Sequence, residues 1–157
     1  MRPSSITRRA VLHYFIRFAG ILGASTMGAL RPLMAATWNQ AAFESMKVEV
    51  AIAAVGIVDA QNSEDIIVNA PEIAENGAQV PIDITSKIAG TERIFIFSDK
   101  NVQPYVADFH MSKGLEPFIS TRIKMGETSP VRVYVLARGQ YYVATREVKV
   151  TIGGCAS

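Results

Sequence analysis

The feature that most constrains the fold is a series of seven short β-rich segments over residues 66–152. Residues 119–125 and 147–152 alternate between apolar and polar side chains, as a strand with one buried face must. Turn residues recur at intervals of about ten residues, which favours a mainly β fold built as an antiparallel β-sandwich. The segments are Ile66–Val68, Val80–Ile84, Ile94–Phe97, Tyr105–Met111, Phe118–Met125, Val131–Ala137 and Tyr141–Ile152.

One amphipathic helix is predicted ahead of the strands, over about residues 39–54. Apolar residues recur there at spacings of three and four, which places them on one helix face. A stripe of this kind is typical of a core face or a partner interface rather than a cofactor site. Its members are Phe43, Met46, Val50, Ala53 and Ile57.

Turn chemistry predicts the connections. Residues 59–65 are polar and predict a loop. Two pairs, Asn76-Gly77 and Arg138-Gly139, predict hairpin turns, because glycine accepts the positive φ that a tight reversal requires.

The amino-terminal residues 1–36 have the pattern of an export signal. Arg8 and Arg9 form a twin-arginine pair ahead of an apolar stretch over residues 18–30. Thirteen uncharged residues are too few for a helix to span a bilayer. We therefore expect cleavage after Ala36, delivery to the periplasm by the twin-arginine pathway, and no stable membrane association afterwards.

Removing the signal changes the charge of the protein. Five of the sixteen Lys and Arg lie before Ala36 and all fourteen acids follow it, so eleven cations remain against fourteen acids, a net of −3. A mildly acidic domain without a basic run gives no reason to expect nucleic-acid binding. The domain is placed at residues 37–152, a length sufficient for one hydrophobic core.

The single cysteine of the chain is Cys155, and its neighbours Gly153, Gly154, Ala156 and Ser157 are all small. Two glycines leave the backbone unrestrained, so these five residues are expected to form a flexible arm with an exposed thiol. No second cysteine is present for an internal disulfide. The thiol therefore stays free, pairs with another molecule or carries a covalent group.

The residue patterns of common enzymes are missing from the sequence. There is no HExxH, GxSxG, phosphate-binding glycine loop or cysteine pair. His110, the one histidine after residue 36, is expected to be structural or solvent-facing, and Glu72 and Glu75 to lie in a solvated turn. We therefore expect no catalytic residue, metal or cofactor on this chain.

Three segments resemble the SoxY family of sulfur-carrier subunits. They read PEIAENGAQVPI at residues 71–82, STRIKM at residues 120–125 and VKVTIGGC at residues 148–155. The resemblance implies an immunoglobulin-like antiparallel β-sandwich and a complex with a SoxZ-like subunit. It also implies that the tail is a carrier arm, with intermediates of thiosulfate oxidation held covalently on Cys155. It also implies that SoxXA-, SoxB- and SoxCD-like enzymes act on these inorganic sulfur species. The family tail usually has Gly-Gly after the cysteine, whereas Ala and Ser follow it here, so the tip is stiffer and thicker.

Two other function classes stay open. A periplasmic interaction module would use Cys155 for an intermolecular disulfide, and a single-thiol shuttle would use it for redox exchange. The mass of the protein from its host separates these classes, because sulfur adducts on the thiol indicate a carrier, whereas a dimer that collapses on reduction indicates a structural module.

Overall fold

Two β-sheets pack face to face to form the framework of the fold, which the computed structural model describes over residues 39–151. The helices and strands of the described residues are α1 Gln40–Phe43, α2 Val48–Ala54, β1 Gln61–Asn62, β2 Ile66–Asn69, β3 Ile73–Ala74, β4 Val80–Ser86, β5 Thr91–Ser98, β6 Tyr105–His110, β7 Phe118–Ile123, β8 Ser129–Ala137 and β9 Gln140–Val150. The larger sheet has the order β1-β9-β8-β5-β6, with β3 also on β9, and the smaller has the order β2-β4-β7. This is the predicted immunoglobulin-like β-sandwich.

All seven predicted strands are present, as β2 and as β4 through β9. The alternation in β7 is confirmed, because Ile119 and Ile123 are buried while Ser120 and Arg122 are exposed. Neighbouring strands are antiparallel, except where β1 and β3 run parallel to β9.

The two parallel strands were not predicted, and β1 lies within residues 59–65, which the sequence assigns to a loop. Each has only two residues, too few to show a period of two. Both form because the exposed edge of β9 offers backbone groups for pairing. The loop prediction is therefore wrong at Gln61 and Asn62.

Strand β5 lies at the centre of three layers. Ile94 and Ile96 pack into the core between the sheets, whereas Phe95 and Phe97 pack on the opposite face, against the helices. All four side chains are fully buried. Full burial of a side chain of this size contributes about 1.5–3 kcal/mol, so both faces of this strand contribute to stability.

The predicted single helix is wrong in its continuity and in its buried face. Ser45 Oγ donates to the Lys47 carbonyl at 2.9 Å and accepts from the Lys47 N–H at 3.3 Å, which ends the first helix and restarts the second in a new phase. The side chains that become buried are Ala42, Val48, Ala51 and Ile57. Of the predicted stripe, Ile57 is buried and Phe43 half-buried, while Met46, Val50 and Ala53 are exposed.

Asn39 joins the two helices. Its Oδ1 accepts from the Ala42 N–H at 3.2 Å and caps α1, and its Nδ2 donates to the Ala54 carbonyl at 2.9 Å at the end of α2. Neither helix within residues 39–151 has the length and apolar composition needed to cross a membrane. The predicted export signal, with Arg8 and Arg9, lies outside the described residues.

One of the two predicted hairpin turns is confirmed. Arg138 and Gly139 have φ values of 51° and 76° and connect β8 to β9 directly, as a two-residue hairpin requires. Asn76 and Gly77 do not form a hairpin, because β3 pairs with β9 rather than with β4. Instead, the Asn76 side chain accepts from the Ala78 N–H at 2.8 Å and stabilises a local turn.

Candidate functional site

The end of β9 lies at one end of the sandwich, beside three loops. These loops connect β3 to β4 (residues 75–79), β5 to β6 (residues 99–104) and β7 to β8 (residues 124–128). We call them the arm-end loops, because the predicted carrier arm follows β9. The hairpin of Arg138 and Gly139 lies at the opposite end.

Both edges of β9 are held up to the last described residue. On one edge, the Lys149 N–H donates to the Glu72 carbonyl at 2.9 Å and the Thr151 N–H to the Ala74 carbonyl at 3.1 Å. On the other edge, the Val150 N–H donates to Thr128 Oγ1 at 3.0 Å. The end of β9 is therefore held in place up to Thr151.

Hydrogen bonds also join the arm-end loops to each other. The Met125 N–H donates to the Gly77 carbonyl at 2.7 Å. The Asn101 side chain donates to the Lys124 carbonyl at 2.7 Å and accepts from the Gly126 N–H at 3.0 Å. The three loops thus form one connected surface around the end of β9.

The three segments that resemble the SoxY family meet at this end. The first pairs with the last through β3 and β9, where Ile73 lies opposite Lys149. The first also pairs with the middle segment through β4 and β7, where Val80 lies opposite Ile123. Residues 76 positions apart in sequence, such as Ile73 and Lys149, therefore belong to a single structural unit.

The predicted attachment site and carrier arm, Cys155 with Gly153, Gly154, Ala156 and Ser157, lie outside the described residues. Cys155 follows Thr151 by four residues. Four residues of extended chain span at most about 13–14 Å.

The two cations nearest the cysteine in sequence do not create a basic site. Lys149 Nζ lies 3.7 Å from Glu72 Oε1, and Arg146 and Glu147 line the same shallow cavity of about 450 Å³. Two cations therefore face two carboxylates. The Glu72 side chain is 75 % exposed, so it is solvated as predicted, but the residue directly precedes β3 and does not lie in the turn of Asn76 and Gly77.

His110 lies at the other end of the molecule, where it pairs with Arg93 at the start of β5. Its side chain is 69 % exposed, and Nε2 lies 3.9 Å from Asp108 Oδ1. The prediction that this histidine faces solvent is confirmed. Within residues 39–151, no group of three or more His, Cys, Asp and Glu could hold a metal ion.

Two residues of the arm-end loops were not predicted from the sequence, Thr128 and Asn101. Each acts through hydrogen bonds to chain segments that are more than 20 residues away. Neither residue belongs to a motif or a periodic pattern, so no local signal identifies it.

A family model and a solved structure point to the same family. The model of the family described as "Sulfur oxidation protein SoxY" matches residues 51–155. The chain is similar to the solved sulfur carrier protein SoxY from Chlorobium limicola f thiosulfatophilum, at 42% identity and a TM-score of 0.60, over 66% of this chain and 94% of that one. The superoxide reductase (neelaredoxin) from Ignicoccus hospitalis aligns at 13% identity and a TM-score of 0.49, over 55% and 80% of the two chains. Among proteins with curated descriptions, none matches this chain.

Proposed function

Because the chain belongs to the SoxY family of sulfur oxidation proteins, we propose that it is a carrier which holds sulfur-oxidation intermediates covalently on Cys155. One observation carries this proposal. The three family-like segments converge where β9 is held at Thr151, and the single cysteine of the chain follows four residues later.

The described residues favour a carrier over an enzyme. The side chains around the end of β9 form hydrogen bonds to backbone groups, and the cations there face carboxylates. The one histidine of the described residues lies at the other end of the sandwich. Activation of the thiol and of its adducts is therefore assigned to partner enzymes, for which Cys155 is a substrate.

The proposed cycle begins by loading thiosulfate. The Cys155 thiol loses its proton and forms an S–S bond to the outer sulfur of thiosulfate, which gives Cys–S–S–SO₃⁻ and releases two electrons to a partner oxidoreductase. Water then cleaves the terminal S–S bond, releases sulfate and two protons, and leaves a persulfide on the cysteine.

A second release regenerates the carrier. A partner oxidoreductase withdraws six electrons from the outer sulfur of the persulfide while three water molecules supply its oxygens, and six protons leave. Hydrolysis of the resulting Cys–S–SO₃⁻ gives a second sulfate, two protons and the free thiolate. Each step needs the cysteine inside the active site of another protein.

We also propose where the protein is located and which proteins it binds. The twin-arginine pattern at Arg8 and Arg9 supports export to the periplasm. The family supports an assembly with Sox-system proteins, among which we assign a SoxZ-like subunit and enzymes like SoxXA, SoxB and SoxCD.

Replacement of the cysteine tests the proposal. Cys155→Ser is expected to abolish thiosulfate-dependent turnover in a reconstituted system, because Ser cannot form the S–S bond. The thermal unfolding midpoint and the co-purifying subunit should be unchanged, because Ser differs from Cys in one side-chain atom and is similar in size. Mass spectrometry of the wild-type protein from its host should show sulfur adducts on Cys155.

Undiminished turnover by Cys155→Ser would exclude the carrier role. A uniform disulfide-linked dimer in the host, without any sulfur adduct, would instead establish the structural module.

A further inference from the structure

The distance between the fixed end of β9 and Cys155 limits where a partner enzyme can lie. Cys155 lies four positions after Thr151, so its Cα lies at most about 13–14 Å from the end of β9. Each residue that enters a recessed active site uses about 3.4 Å of this reach. An enzyme that encloses the last three residues up to the thiol must therefore contact the protein within a few ångströms of Thr151.

The surface that surrounds Thr151 carries two exposed apolar side chains. Ile73, on β3, is 54% exposed, and Val102, in residues 99–104, is 73% exposed. Strand β3 borders β9 on one side, while residues 99–104 connect β5 to β6 on the other side. At about 4.8 Å per strand, Val102 lies about 10–15 Å from β9. The two side chains thus flank the point where the arm begins.

These distances match an ordinary protein interface. A standard interface covers about 800 Å² on each partner, which corresponds to a disc about 16 Å in radius. A disc of this radius centred on Thr151 includes both Ile73 and Val102.

We propose that this arm-end surface, formed by β3 and the arm-end loops, is the contact surface for the enzymes that act on Cys155, with Ile73 and Val102 as its apolar anchors. This inference rests on the proposed carrier function and names where the partner enzymes bind. The occupant is the rim around the entrance of an enzyme active site, because the short reach of the arm brings that rim to Thr151.

Two properties of the arm-end surface favour binding. Its loops are joined by the hydrogen bonds of Asn101 and Gly77, so little conformational freedom is lost on contact. Its charges are mixed, since Lys124 and Glu127 are both exposed and Lys149 faces Glu72. Several enzymes can therefore use the same surface without a strong charge preference.

The test uses the exported protein with its co-purifying subunit, loaded chemically as Cys155–S–SO₃⁻, and a SoxB-like hydrolase from the same host. Val102→Ser and Ile73→Ser are each expected to raise the KM for the loaded carrier at least fivefold, on the order of what loss of an interface anchor causes. The kcat should stay unchanged, because the arm and the adduct are intact. Alkylation of the unloaded thiol by iodoacetamide should proceed at the wild-type rate.

Val58→Ser is the matched control. Val58 is 66% exposed and lies next to Asp59, whose carbonyl accepts from Gln140 at the opposite end of the sandwich. This variant should keep the wild-type KM. An unchanged KM in both arm-end variants, an equal rise in Val58→Ser, or loss of the co-purifying subunit in the arm-end variants would overturn the proposal. Failure of the carrier function itself is distinguishable, because the wild-type protein would then release no sulfate.

Discussion

At the residue scale, the carboxyl group of Asp99, in the arm-end loops, is in an environment that disfavours its charged form. Its Oδ2 lies 2.6 Å from Arg132 Nη2, but its Oδ1 is buried without a hydrogen-bond partner among the described residues. Burial raises the pKa of Asp99 above its ordinary value, and the attraction of Arg132 offsets this effect only in part. The folded protein therefore holds this proton more tightly than the unfolded chain does.

The raised pKa of Asp99 predicts the sign of a pH effect on stability. The native state binds more protons at this site, so the Asp99 contribution to the free energy of unfolding falls as the pH rises through its folded-state pKa. Asp99→Asn removes the titration while it keeps the shape. The free energy of unfolding of the wild type minus that of Asp99→Asn should decrease between about pH 4 and pH 7 in urea titrations. An increase over this range would contradict the assignment.

The chemical role of a residue could be predicted from the sequence only where its residue type occurs once. Cys155 is the single thiol, so its candidacy needs no fold. Thr128 and Asp99 acquire their properties from neighbours, Val150 and Arg132, which tertiary structure brings to them. No pattern around either residue reports those contacts.

At the scale of elements, the end of β9 depends on one side chain on its β8 edge. Thr128→Val should leave the Val150 N–H without its acceptor, at a local cost of about 1–2 kcal/mol. Amide hydrogen exchange at Val150 should then accelerate about tenfold or more, because strand ends open locally before the whole domain unfolds. The amides of β5 should exchange as in the wild type.

Thr128→Ser is the control for this prediction, because it keeps a hydroxyl at the same place. Its exchange at Val150 should match that of the wild type. Equal exchange in wild type and Thr128→Val would show that pairing with β3 alone holds the strand.

The strands predicted from the sequence are runs of three or more β-favouring residues, some of which alternate. In β7, the alternation of apolar and polar residues in the sequence matches the alternation of buried and exposed side chains. The prediction of one helix was wrong because a spacing of three and four assumes an unbroken helix. The hydrogen bonds of Ser45 interrupt the helix, so the second helix begins at Val48 with a different face buried. The prediction of a hairpin at Asn76-Gly77 was wrong because the residues of a turn do not determine which sheet the next strand joins.

At the scale of the whole molecule, export is predicted to depend on the arginine pair. Arg8→Lys and Arg9→Lys together keep the charge but lose both guanidinium groups, which a receptor reads by shape. Cell fractionation should find uncleaved precursor of the double variant in the cytoplasm. Arg17→Lys lies outside the pair and should be delivered normally. Normal periplasmic delivery of the double variant would show that another route is used.

The sandwich as a whole could be predicted because a mainly β composition with regular turns has few solutions. The three-layer packing could not be predicted. Nothing in the sequence of β5 indicates that the helices pack on one of its faces and the second sheet on the other. Sequence reasoning treats Phe95 and Ile96 alike, as apolar residues in one strand. Their separation into two cores is a property of the complete chain.

The fixed end of β9 also determines the local concentration of the thiol. A group confined to about 14 Å around Thr151 has an effective concentration on the order of 100 mM. Once an enzyme touches the arm-end surface, capture of Cys155 is intramolecular, so the contact itself can be weak. Weak contacts dissociate quickly, and a carrier that visits several enzymes in turn needs fast departure as much as efficient capture.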